Sequence, residues 1–377
     1  MKKLGFVFLC AALSCGAPLP ATDAGGGGDS GLGGDAGPRD GGGVTDSGLA
    51  DAGSADAGNT DAGTPDAGAA DASVPDAGTP DAGTDGGAVL RQPPPLPSYS
   101  GGTCPTLNGG PTRAQGTNTG FQSAGDARDF YLLVPPGCTT ATPCPVVFGY
   151  HWLNASGNSV VEDAELESAV LQYHFIAVVP ENLMNGGNKA YTFDWPFVEV
   201  MNAPKELRLF EDLLACVGQQ FGVDTRRVHV FGASAGGLWT TYLSTTPTVD
   251  RVASVLVVSG GLGEVLGVWS IPWVAQPNKF PAFIIWGGPA DWLGVDFHRA
   301  SQRYRDALRA DGHSVVACTH TEGHKIPPFP PPADGGTLFA GFWDFFRDHP
   351  YGLPAGTSPW QTSGVPATLP SYCSVVP

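Results

Sequence analysis

Residues 227–239 read Arg-Val-His-Val-Phe-Gly-Ala-Ser-Ala-Gly-Gly-Leu-Trp. Alternating apolar residues run into Gly-x-Ser-x-Gly, and small residues able to start a helix follow. The stretch predicts a strand, a sharp turn and a helix, with Ser234 exposed at the turn. Gly232 and Gly236, two residues to either side, remove side chains that would collide where strand and helix close on each other. The turn also sets the Ala235 amide at the start of the helix, where it can donate to a developing oxyanion. With 54 Gly among 377 residues the pentapeptide alone says little. Its context and its single occurrence carry the reading.

The composition divides the chain into three parts. Lys2 and Lys3 precede an apolar run over 4–13, then Ser14-Cys15-Gly16, which reads as a secretory signal over 1–20, too short to span a bilayer. Ala12-Leu13-Ser14-Cys15 also resembles a bacterial lipobox, which would acylate Cys15 and hold the chain at a membrane; ordinary cleavage and release is the competing outcome. Residues 21–88 hold almost nothing but Ala, Gly, Asp, Thr, Ser and Pro, with Asp at every fifth position from Asp46 to Asp81. Such a segment cannot offset its ordering entropy by burial, so a disordered linker is expected. It carries 13 Asp against Arg39 alone, whereas residues 89–377 carry 16 basic and 23 acidic residues. That mild acidity argues against nucleic acid as a partner.

Residues 89–377 form the expected catalytic domain. Apolar runs at 129–134, 145–150, 175–179, 228–231, 253–258, 282–286 and 314–317 alternate with helical patterns at 160–171, 204–221, 297–308 and 337–346. Continuous apolar strands alternating with helices predict an α/β fold with a mostly parallel, doubly wound sheet, expected to act as a monomer. Ligands of such sheets bind outside the carboxyl ends of the strands, which is where Ser234 falls. Cys104, Cys138, Cys144, Cys216, Cys318 and Cys373 permit up to three disulfides in 15 pairings, and Cys138 with Cys144 brackets a short loop. No Cys-x-x-Cys suggests zinc.

A serine nucleophile needs a base and a group to orient it. Asp291 leaves the strand 282–286 on the tight loop Gly287-Gly288-Pro289-Ala290, and His324 lies in the loop after 314–317, giving the order Ser, acid, His. Asp296 is the competing acid but reads as the cap of the 297–308 helix. His320 is the competing base, closer to its strand. His151 reads as structural. Trp152, Trp195, Trp239 and Trp292 fall near the expected mouth and are candidates for substrate contact, with burial in the core as the alternative.

Residues 145–156, the serine turn, Gly287 to Asp291 and Glu322-Gly323-His324 together resemble the extracellular polyhydroxybutyrate depolymerase and feruloyl/acetylxylan esterase group of the α/β-hydrolases. The resemblance covers most of 128–348; Cys216 and Phe193-Asp194-Trp195 share in it. It implies an α/β-hydrolase fold and ester hydrolysis by Ser234, His324 and Asp291, with no metal or organic cofactor. It also implies an oxyanion hole from the amides of Leu153 and Ala235. The group usually carries His-Gly and an apolar residue where this chain has His151-Trp152-Leu153, so Leu153 is the matching donor and Trp152 the departure. A peptidase or lactone hydrolase with the same triad, and a catalytically silent surface binding protein, are the rival readings.

Overall fold

Nine strands join in one sheet, and six of them run parallel because both of their faces are covered. The computed structural model describes residues 91–267, 269–327, 329 and 335–377. The expected signal over 1–20, Cys15 and the linker over 21–88 lie outside the described residues.

In chain order the strands are β1 (Thr117–Ser123), β2 (Asp126–Leu133), β3 (Cys144–Tyr150), β4 (Ile176–Pro180), the small hairpin β5 (Met184–Asn185) and β6 (Asn188–Lys189), then β7 (Val223–Ala233) and β8 (Ser254–Val258). A second small hairpin, β9 (Glu264–Val265) and β10 (Trp269–Ser270), precedes β11 (Ala282–Trp286), β12 (Val315–Thr319) and β13 (Cys373–Val375). The main sheet has the order β1-β2-β4-β3-β7-β8-β11-β12-β13. Strands β4 through β12 of that order pair in parallel, while β1, β2 and β13 are antiparallel additions at the edges. The helices are α1 (Arg113–Gly116), α2 (Gly157–Asp163), α3 (Leu166–Tyr173), α4 (Ala203–Phe221), α5 (Ala235–Ser244), α6 (Phe297–Ala310), α7 (Ala340–Asp348) and α8 (Trp360–Ser363).

The period of two in each strand divides the core between two layers. Val146, Phe148, Val255, Val257 and Ile284 point to one face, where Leu213 of α4, Leu238 of α5 and Tyr304 of α6 cover them. Val147, Leu256, Val258, Phe283 and Ile285 point to the other, under Val160 of α2, Val170 of α3 and Phe345 of α7. Fully burying each such side chain contributes about 1.5–3 kcal/mol.

Two expectations need correction. The single helix over 160–171 is two helices, because Glu165 adopts a left-handed backbone, φ 51°, between α2 and α3. Its carboxylate accepts from the Leu338 amide at 2.8 Å, a tie between distant segments with no sequence signature. The edge strands β1 and β13 lack a strand signature in the sequence: β1 is a mostly polar heptapeptide in which Asn118, Phe121 and Ser123 are buried, and β13 has three residues.

The cysteines pair as Cys104–Cys216, Cys138–Cys144 and Cys318–Cys373. Cys104–Cys216 spans 112 residues and fastens the segment before β1 to α4. A loop of that length removes about 4–5 kcal/mol of unfolded-chain entropy on a chain-entropy model. Cys318–Cys373 fastens the edge strand β13 to β12.

Candidate active site

Sheet register brings the site together. Ala233 of β7 lies beside Val258 of β8, Val258 beside Ile285 of β11, and Trp286 of β11 beside Thr319 of β12. The residues that follow, Ser234, Ser259, Gly287 and His320, therefore leave the sheet at one level on its carboxyl edge.

Ser234 sits between β7 and α5 with φ 55° and ψ −116°, a conformation held against its own strain. A Cβ on Gly232 would lie 2.2 Å from the Gly236 carbonyl oxygen, and one on Gly236 would lie 2.2 Å from the Tyr150 carbonyl oxygen. Both glycines are thus required by close backbone approach. Ala235 opens α5, so its amide is one of the first-turn donors without an intrahelical acceptor.

The acid and base loops also meet by backbone contact. A Cβ on Gly287 would lie 1.8 Å from the Gly323 carbonyl oxygen. That approach lets His324 reach Asp291: His324 Nδ1 is 2.6 Å from Asp291 Oδ1, and His324 Nε2 is 2.9 Å from Ser234 Oγ. A carboxylate only accepts, so Nδ1 carries the proton and donates; Nε2 is left to accept from the serine hydroxyl. Asp291 is fully buried, and its Oδ2 accepts from Ser259 Oγ at 2.8 Å and from the Gly287 amide at 2.9 Å. The Phe297 ring stacks on His324 with centroids 4.5 Å apart. Ser259, itself at φ 45°, and Phe297 were not singled out from the sequence. Ser259 follows the end of β8 and Phe297 opens α6, and nothing local marks either as a partner of Asp291 or His324.

The competing residues lie elsewhere. Asp296 caps α6, accepting from the Arg299 amide at 3.0 Å. His320 is buried, its Nδ1 accepts from the Glu322 amide, and burial holds its pKa below the ordinary value. His151 is buried at the end of β3; burial, opposed by the Trp152 carbonyl and Asp194, lowers its pKa. Its Nδ1 lies 2.9 Å from the Trp152 carbonyl oxygen and donates to it.

The four tryptophans separate. Trp195 and Trp239 are 0% exposed and stack on each other in the core, centroids 6.5 Å apart. This corrects their expected place at the mouth: positions near a strand end in sequence point inward when their neighbours are apolar. Trp152 is half-buried over a cavity of about 30 Å³ that it shares with Ala233, Ile326 and Phe342, room for a water and not for an acyl group. Trp292 is 65% exposed and lines an open groove of about 440 Å³ with Leu266, Asp296, Arg299 and Arg303, bordering the acid loop. Leu153, half-buried, follows the β3 end.

Among the described residues one set of His, Cys, Asp or Glu ligand atoms gathers within 4.8 Å, that of Cys138, Cys144 and His174, and both sulfurs are used in the disulfide. No protein-family model matches the chain, and no curated protein does. Solved structures do. Native pOPH aligns with 20% identity over 70% of this chain and 94% of its own, with a TM-score of 0.54. The chain has the α/β-hydrolase fold. Native sOPH matches at 20% identity over 74% of this chain and 97% of its own, TM-score 0.54; a pOPH variant in complex with pNPB matches at 17% over the same shares, TM-score 0.57.

Proposed function

We propose that this protein is an exported or surface-anchored serine carboxylic ester hydrolase that works through an acyl-enzyme, on a polyester or a plant cell-wall ester. The observation that carries the reading is one imidazole, His324, placed 2.9 Å from a hydroxyl on a strained turn and 2.6 Å from a buried carboxylate. His324 Nε2 takes the Ser234 proton as Oγ bonds to the ester carbonyl carbon, and Asp291 holds the tautomer and stabilises the imidazolium. The tetrahedral oxyanion is received by the amides of Ala235 and Leu153, each worth roughly 3 kcal/mol in the transition state. Collapse expels the alcohol, which takes the proton from His324. Water then enters by the same route and releases the acid and Ser234.

The surface around the site supports a water-insoluble ester. Of the exposed large apolar side chains among the described residues, all but Leu171 and Val274 stand in the segments that leave the carboxyl ends of β4, β8 and β11. Met184 and Met201 follow β4, Leu266 and Trp269 follow β8, and Trp292 and Leu293 follow β11. An apolar rim concentrated at one edge suits adsorption to a polymer surface.

The test is a substrate panel with the full chain: p-nitrophenyl butyrate in a stopped-flow burst assay, a polyhydroxybutyrate suspension, a feruloyl ester and acetylxylan. A burst near one equivalent, followed by turnover of at least one polymeric ester, is expected. A folded protein that turns over none of the esters sinks the proposal.

A further inference from the structure

We infer that Asp194 is a positioning residue that fixes the peptide plane donating to the oxyanion, an inference that rests on the esterase reading above. The donor turn, His151 to Asn154, is held at both ends by one dipeptide. Asp194 Oδ2 accepts from the Asn154 amide at 2.6 Å, and the next side chain, Trp195, donates from Nε1 to the His151 carbonyl oxygen at 2.8 Å. Between these two clamps lies the Trp152–Leu153 peptide. Its carbonyl oxygen accepts from His151 Nδ1 at 2.9 Å and from the Ala155 amide at 3.1 Å.

The described chain contains no cis peptide bonds, so the Leu153 N–H is antiparallel to the Trp152 carbonyl in the same plane. Fixing that carbonyl fixes the amide. Rotating the plane would break both of its acceptor contacts, and neither flanking peptide can follow while Asp194 and Trp195 hold it.

The surroundings of Asp194 hold it in place. It is 1% exposed and has φ 69°, a left-handed backbone that a non-glycine residue keeps only when its surroundings impose it. Its Oδ1 accepts from Asn182 Nδ2 at 3.0 Å and faces Lys189 Nζ at 2.5 Å, and the same ammonium donates to Asn154 Oδ1 at 2.7 Å. Asn154 is itself left-handed, φ 61°. Lys189, from β6, thus supplies the counter-charge for a buried carboxylate and a second tie to the turn. Neither the triad nor the elbow uses any of these residues.

The experiment compares kcat and KM for p-nitrophenyl butyrate, the inhibition constant of an alkyl boronic acid, and the melting temperature in the wild type, Asp194→Asn, Asp194→Ala and Lys189→Met. Removing one oxyanion donor lowers kcat by 10²–10³-fold in a serine hydrolase, so partial misplacement should give about 10-fold in Asp194→Asn and about 100-fold in Asp194→Ala. KM should stay within about 3-fold, while boronate binding weakens in parallel with kcat. Asp194→Asn with wild-type melting and a kcat within 3-fold of wild type overturns the inference, as does a loss confined to KM. If both Asp194 variants fail to fold, Lys189→Met decides: a kcat loss of 5-fold or more at unchanged KM supports the role, and an unchanged kcat overturns it. Absence of turnover in the wild type overturns the esterase reading itself, which these outcomes keep separate.

Discussion

The two edges of the sheet treat histidine in opposite ways. At the carboxyl edge His324 has a partner on each ring nitrogen, a buried carboxylate on one side and the Ser234 hydroxyl on the other. Toward the opposite edge His229 of β7 is 1% exposed; its Nδ1 meets the Ser254 hydroxyl, its Nε2 has no hydrogen-bond partner among the described residues, and burial pushes its pKa down to about 3. His349 nearby is sealed by the Phe345 carbonyl and Ser358 and falls to about 4, burial again leading. A cavity of about 450 Å³ in that region is lined by His229, Trp343 and Phe346 and not by Ser234, Asp291 or His324. On the proposed reading the same side chain is a base where a carboxylate and a hydroxyl converge on it and a packing group where burial leads. Volume marks neither role.

The contrast can be broken first at the carboxylate. Asp291→Asn keeps the shape of the network but lets the side-chain amide favour the wrong imidazole tautomer, and kcat should fall by about 10⁴-fold. Steady-state kinetics on p-nitrophenyl butyrate checks this, and a loss of less than 10-fold would remove Asp291 from its role.

The rim offers a smaller effect. Met201 is 89% and Leu266 54% exposed. Replacing both by Ser should weaken adsorption to a polyester film by about 10-fold, equivalent to about 1.4 kcal/mol of lost apolar burial, with soluble-ester kcat little changed. Equal adsorption by both proteins would argue that the rim binds no polymer.

The buried pair governs stability instead of turnover. His229 and His349 have folded pKa values below their unfolded value near 6.5, so the unfolded state binds more protons between about pH 6.5 and pH 4. Their contribution is complete above pH 6.5 and is lost as the pH falls, at up to about 1.4 kcal/mol per pH unit for each. Urea denaturation from pH 7 to pH 4.5 should show this slope, reduced by about one proton in His349→Gln. A slope identical in both proteins would contradict it.

The convergence of Ser234, Asp291 and His324 at the carboxyl edge is legible in the sequence because its parts are local. The elbow is a contiguous motif, and Asp291 and His324 each follow an apolar strand on a glycine-containing loop, so chain order and loop position sufficed to name them. Partners brought in from other strands were not legible: Ser259 and Phe297 reach Asp291 and His324 only through the sheet register. Trp195 and Trp239 misled because residues beside a strand end project inward or outward according to neighbours the sequence does not place next to them. The pairing of Cys104 with Cys216 across 112 residues carries no local mark either, whereas the short Cys138–Cys144 loop does.

The central claim is that Ser234 is the nucleophile. The most direct measurement is to treat the full chain with a fluorophosphonate, map the modified peptide by mass spectrometry, and repeat with Ser234→Ala beside p-nitrophenyl butyrate turnover. The account predicts one label, on Ser234, lost in the variant together with at least 10⁴-fold of kcat. A folded wild-type protein that takes no label, or takes it on another residue while Ser234→Ala keeps its turnover, would contradict it.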